Sequence, residues 1–177
     1  MNTVQRIAKN TSIIIGGEIT CKIIALFTTM YLARYLLPIE FGKYSFVFAY
    51  LTFFGVIADL GLHAILVREM SRDSSLAPKL IGNAYIIRLI LTVFAVILSM
   101  IVISVLSYPA DTTTYIYIAT FTLPFTSFSN FYTAIFQTNL KMEYNIISRI
   151  IFRILLAILI FGIIFSHGTL MQVMVVM

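Results

Sequence analysis

Residues 57–73 read IADLGLHAILVREMSRD. An apolar run closes here in a charged cluster, Arg68, Glu69, Arg72 and Asp73, and inside the run stand an acid, Asp59, and a histidine, His63. From Tyr44 to Val67 the only formally charged side chain is Asp59. Roughly 20 mostly apolar residues in a helix cross a bilayer core. The stretch therefore reads as the end of a membrane span, with the charged cluster as its stop at the water interface. What remains to be explained is why Asp59 and His63 lie one helical turn apart within it.

The rest of the chain agrees with a membrane setting. Of 177 residues 60% are hydrophobic and 11% are charged, and the mean hydropathy is +1.01. A soluble domain carries about 25% charged residues, so too little polar material is present to cover a globular surface. The formal charge of +5 is spread between apolar runs rather than gathered on one face or tail. That distribution fits membrane topology and argues against nucleic acid as a partner. A single cysteine, Cys21, excludes a disulfide framework and a zinc spacing. Arg6 and Lys9 resemble the basic start of a signal peptide, but Glu18 and Lys22 interrupt the run behind them and no small-residue cleavage site follows. Residues 1–10 read as a cytoplasmic lead-in.

Five segments are long and apolar enough to span: about 11–36, 44–67, 80–107, 114–138 and 146–166. The fold expected is all-α, a polytopic transmembrane helix bundle occupying residues 11–177. Connections at 37–43, 68–79, 108–113 and 139–145 are short, which makes neighbouring helices antiparallel. Residues 169–177, TLMQVMVVM, read as a truncated sixth segment. Basic residues concentrate on one side: Arg6, Lys9, Arg68, Arg72, Lys79 and Lys141, against Arg34 and Lys43 on the other and none in YPADTT, 108–113. By the positive-inside rule the N-terminus is expected on the cytoplasmic side.

At 100° per residue each span carries one polar or small stripe. These are Thr11, Glu18, Lys22, Ala25 and Thr29; Ser45, Thr52, Gly55, Asp59 and His63; Ala84, Arg88, Thr92, Ala95 and Ser99; Thr126, Asn130, Ala134 and Gln137; and Asn145, Arg149 and Arg153. Lipid cannot satisfy such groups, so the stripes should face one another or a wet cavity. Lys22, Arg88, Arg149 and Arg153 outnumber Glu18 and Asp59, which predicts a cationic cavity suited to an anionic ligand. Lys22, Arg88 and Arg149 are the expected substrate contacts, and Glu18, Asp59 and His63 the gating or coupling groups. Plainer readings stand beside these. Glu18 and Lys22, spaced i,i+4 with the acid first, also fit a self-neutralising pair. Asp59 with His63 fits a packing hydrogen bond, and Arg149 and Arg153 fit cations snorkelling to headgroups. No nucleophile–base grouping, phosphate loop or metal-ligand cluster is present in the sequence, so neither an enzyme nor a cofactor or metal is expected.

Two stretches carry a family resemblance. YLARYLLPIEFGKYSFVFAYL, residues 31–51, resembles the first loop and second helix of polysaccharide-export flippases: Ala-Arg, then Pro, then Phe-Gly-x-Tyr. ADLGLHAILVREMSR, residues 58–72, resembles the family's Asp-x-Gly followed by Arg-Glu. Arg34 and Asp59 occupy patterned positions. The resemblance is to the oligosaccharide flippase branch of the multidrug/oligosaccharidyl-lipid/polysaccharide exporter superfamily. It implies a two-lobed helical transporter that turns a polyprenyl-diphosphate-linked sugar chain across the membrane, of which this chain resembles the N-terminal lobe. Alternating access needs two bundles, so transport is expected only with a C-terminal lobe or another chain. The rival expectations are a multidrug/cation antiporter of the same superfamily and a non-transporting truncated remnant or assembly subunit.

Overall fold

The computed structural model describes residues 3–138 and 142–176. Lys141 and Met177 lie outside the described residues, as do the side chains of Arg6 and Lys9, so part of the orientation argument falls there. The elements are α1 (Thr3–Asp59), α2 (Leu62–Arg72), a 3₁₀ turn (Ser74–Leu76), α3 (Ala77–Val105), α4 (Ala110–Thr120), α5 (Thr122–Thr138), α6 (Met142–Phe165) and α7 (Leu170–Val176). No strand occurs among the described residues. Three helical stretches, Thr11–Arg72, Ala77–Val105 and Glu143–Phe165, are long and apolar enough to cross a membrane.

The third and fifth predicted spans appear as α3 and α6 with ends shifted by a few residues. Elsewhere the helices differ from the expected ones, each time for a local backbone reason. Helix α1 already begins at Thr3, ahead of the apolar run expected to start near Thr11. Residues 37–43, expected as a loop, reduce to one non-helical residue, Leu37, at φ 61° and ψ 170°. Pro38 follows it, and a proline ring pushes the preceding residue out of the α region. The predicted second span is broken after Asp59, where Leu60 (φ 39°) and Gly61 (φ 80°) are left-handed before α2 begins. The predicted fourth span is broken at Phe121 into α4 and α5. Pro124 lacks the amide that would bond to Thr120 and crowds its carbonyl.

Two compact units result, residues 3–41 with 142–176, and residues 42–138. In the first, α1 and α6 lie side by side. Gly17 meets Ile146, Glu18 pairs with Arg149, Tyr31 sets its ring against Phe161 at 5.3 Å, and Tyr35 donates to the carbonyl of Gly168 at 2.7 Å. The partner numbers rise together, so the two helices run parallel. A Cβ on Gly17 would overlap the Ile146 side chain, so the contact at this level calls for a glycine. Helix α6 ends in a Schellman turn: His167 is left-handed at φ 53°, Gly168 donates to Ile163 at 2.9 Å and His167 to Ile164 at 3.2 Å. Thr169 and Gln172 then form half of a capping box, the Thr169 amide donating to Gln172 Oε1 at 3.1 Å.

The second unit is organised on α3. Its buried residues are Ala84, Arg88, Thr92, Ala95, Ser99 and Ile103, which is the predicted small and polar stripe extended by one turn. Small side chains let helices approach closely when lipid supplies no hydrophobic drive. Thr92 and Ser127 share a buried hydrogen bond of 2.8 Å, and Tyr50 donates to the carbonyl of Ser99 at 2.6 Å. Interhelical bonds of this kind stabilise membrane bundles by about 0.6 kcal/mol each. A core of Leu66, Met70, Ala84, Phe131 and Ala134 joins α2, α3 and α5. For residues 42–59 the buried side is not the predicted polar stripe but Val47, Leu51, Phe54 and Ala58. Ser45 and Thr52 are exposed.

Candidate functional site

The break after Asp59 creates the most unusual site in the second unit. Arg88, about three turns inside α3, is wholly buried, and its Nη2 lies against Asp59 Oδ1 as an ion pair. The guanidinium stands over the Phe131 ring, 5.8 Å from its centroid, a cation–π position. Its Nε and Nη1 have no hydrogen-bond partner among the described residues. An ionisable group at mid-helix costs roughly 2.5–3.5 kcal/mol on insertion scales, so each member of this pair offsets what the other would cost alone. The pair also closes a broken helix. The last carbonyls of α1 carry partial negative charge, α1 has no basic residue in its own last turn, and Arg88 supplies a cation from α3 to the carboxylate at that end.

His63 does not share a helix with Asp59, because the left-handed residues between them turn the chain. Its Nδ1 donates instead to the backbone carbonyl of Asn130 at 3.2 Å and ties α2 to α5. The stripe that aligned the two residues required an unbroken helix, and Leu60–Gly61 removes that condition.

Asp59 lines one wall of a cleft of about 500 Å³, within the roughly 300–1,000 Å³ typical of small-molecule sites. Thr52, Gly55, Thr126, Ser127 and Asn130 contribute its polar and small lining, and Phe48, Leu51, Val56 and Leu123 its apolar walls. Asp59 is the one charged residue in this lining, and Arg88 does not take part in it. Sequence reasoning placed Thr52, Gly55, Asp59, Thr126 and Asn130 on inward stripes. It missed Ser127 and Phe131, which are buried in α5 one position on from the predicted Thr126 and Asn130.

In the first unit the remaining candidates gather on α1 and α6. Arg149 Nη1 donates to Glu18 Oε1, an interhelical pair in place of the intrahelical one considered for Glu18 and Lys22. Arg149 keeps 46% of its side chain exposed and Glu18 33%. Lys22 and Arg153 lie one turn further along their parallel helices, both exposed, and neither has a carboxylate partner among the described residues. Counted from Thr11 and Glu143, where the apolar stretches begin, both stand about 15–17 Å in at 1.5 Å per residue. That is near the middle of a hydrocarbon core about 30 Å thick. Four cations and two acids were expected to make one positive cavity. The structure neutralises Arg88 and Arg149 individually and leaves Lys22 and Arg153 as the unpaired charge. No group of three or more His, Cys, Asp or Glu that would hold a metal ion is found among the described residues.

Long apolar helices, a buried small-residue face on α3 and a buried arginine paired with an acid define a polytopic helical membrane protein. Its family follows from comparison with known proteins. The family model described as polysaccharide biosynthesis protein matches residues 7–177, and the chain belongs to that family. The resemblance carried by residues 31–51 and 58–72 thus extends over nearly the whole sequence, and a part in polysaccharide biosynthesis comes with it. No curated protein and no solved structure matches the chain.

Proposed function

We propose that the chain takes part in moving a polyprenyl-diphosphate-linked oligosaccharide across the cytoplasmic membrane, its N-terminus on the cytoplasmic side and a second lobe or another chain completing the pathway. Membership of the polysaccharide biosynthesis family supports this. The observation that carries it is the pair of cations Lys22 and Arg153, without a carboxylate partner among the described residues, at one level of the parallel α1 and α6. Hydrocarbon does not tolerate two bare cations at this depth, so their face meets water or an anion. A diphosphate is the anion that the family's chemistry provides. In this reading Lys22 and Arg153 take its charge, the outward part of Arg149 adds donors, and Glu18 holds Arg149 in place. Arg88 is withheld behind Asp59 and contributes only if that pair opens. A cationic cargo, as in a drug antiporter, is disfavoured because Glu18 and Asp59 already have cationic partners.

The test is complementation in a host whose own copy is deleted, scored by surface polysaccharide and by lipid-linked precursor accumulating inside. Lys22→Ala with Arg153→Ala should cut surface polysaccharide about tenfold or more at normal protein level, and Lys22→Arg with Arg153→Lys should restore it. Wild-type export by the double alanine variant would refute the assignment.

A further inference from the structure

We infer that the cleft of the second unit holds a neutral, hydroxyl-rich group, the sugar end of the ligand, and excludes its diphosphate. This rests on the translocation reading above and concerns the cleft of the second unit by itself. The argument is an inventory of donors and acceptors. The hydroxyl hydrogens of Thr52 and Thr126 are engaged, donating to the carbonyls of Phe48 at 2.7 Å and Leu123 at 3.0 Å. What these residues show the cleft is oxygen lone pairs. Ser127 shares a hydrogen bond with Thr92 in which either hydroxyl can be the donor, and Thr122 donates to the carbonyl of Ala119 at 2.7 Å. Asp59 has Oδ1 buried against Arg88 yet keeps 29% of its side chain exposed, so the rest of its carboxylate adds acceptors. Among the lining side chains, the Asn130 amide, unpartnered among the described residues, brings donors as well as an acceptor.

Such a wall is rich in acceptors, and an ionised carboxylate is acceptor-only. A diphosphate, also all acceptors and negatively charged, would be repelled. A free cation would satisfy the acceptors, but Arg88 already balances Asp59, so the cleft has no net charge to attract one. Sugar hydroxyls donate hydrogen bonds, carry no charge and find apolar walls in Phe48, Leu51 and Val56 for their C–H faces. A lipid tail would leave Asp59 and Asn130 unsatisfied. The glycerol headgroup of phosphatidylglycerol has the same hydroxyl chemistry as a sugar, and the experiment must separate the two.

Binding is measured with the full-length protein in lipid nanodiscs, using a lipid-linked oligosaccharide, the same polyprenyl diphosphate without sugar, and phosphatidylglycerol as competitor. Asn130→Ala combined with Thr126→Val should weaken the sugar-bearing lipid about tenfold, the equivalent of a typical hydrogen bond or slightly more, and leave the bare diphosphate lipid unchanged. Because the Asn130 side chain bonds nothing among the described residues, the melting temperature should hold. If it falls, Asn130→Asp serves instead: it keeps the shape, replaces the amide donors with an acceptor, and should lose the sugar-bearing lipid selectively. Equal losses for both lipids, or none for either, would overturn the inference while leaving the translocation reading intact. So would displacement of the sugar-bearing lipid by phosphatidylglycerol at the same residues. A wild-type protein that binds neither polyprenyl lipid would sink both.

Discussion

Replacing Arg88 by methionine and, separately, Asp59 by asparagine should destabilise the second unit unequally. Arg88 has no exposed side-chain surface, whereas Asp59 keeps 29%. Removing one member of a buried ion pair costs about 3–5 kcal/mol because the other is left charged and uncompensated. In Arg88→Met the stranded group is the carboxylate, which the cleft can hydrate, so the cost falls near the lower end, about 3 kcal/mol. In Asp59→Asn the stranded group is a guanidinium with no route to water, and the cost approaches the upper end, about 5 kcal/mol. The double variant, Asp59→Asn with Arg88→Met, buries no charge. It should lie well below the sum of the singles, with a coupling energy of at least about 2 kcal/mol. Reversible unfolding in detergent or by steric trapping in bicelles measures all four corners of the cycle. Additive single costs would refute the pairing. A larger cost for Arg88→Met than for Asp59→Asn would refute the argument from burial.

Other outcomes follow from single positions. Gly17→Ala places a methyl on Ile146 and should cost about 1–3 kcal/mol by overpacking; Ile146→Ala in the same chain should recover much of it, as read by thermal unfolding. Gly61→Ala meets no neighbouring atom but must hold φ +80°, a strain of about 1–2 kcal/mol, whereas Gly55→Ala, helical and in open space, should be neutral or slightly stabilising. At the end of the second unit, the Lys43 ammonium 2.5 Å away and then the Thr112 amide hold the Asp111 carboxyl below its usual 3.8. A depressed folded pKa stabilises above the unfolded value, and that contribution is lost as pH falls through the lower folded value. Stability at pH 5 and pH 8 should therefore show the same Asp111 contribution, which fades only below about 3.8 and is missing from Asp111→Asn at every pH. Asp73 is lowered as well, by the hydroxyl and amide of Ser75, and its titration followed by NMR should normalise in Ser75→Ala to the extent that the hydroxyl contributes.

The membrane-embedded, all-helical character of this protein was fixed by composition and by apolar runs of spanning length, properties that need no partner to be read. The inward face of α3 was legible for a related reason. Ala84, Arg88, Thr92, Ala95 and Ser99 follow one another at helical spacing with no breaker among them, so a 100° rotation per residue holds from end to end. Where that rotation fails, so did the reading. Asp59 and His63 share a stripe only in an unbroken helix, and two left-handed residues separate them. The fourth stripe missed Ser127 and Phe131, which lie about 100° around α5 from the predicted Thr126 and Asn130. The first failure had a local marker, Gly61, but a marker does not give the angle through which the chain turns. The partners of the charges were beyond the sequence altogether. Glu18 has Lys22 four residues away in the favourable order and yet pairs with Arg149, because α1 packs parallel to α6 through the gap at Gly17. Arg88 and Asp59 meet because α3 passes the broken end of α1. Local spacing sets which face of a helix a side chain occupies; which opposite charge it finds there depends on the packing of helices distant in sequence, and only the tertiary structure decides that.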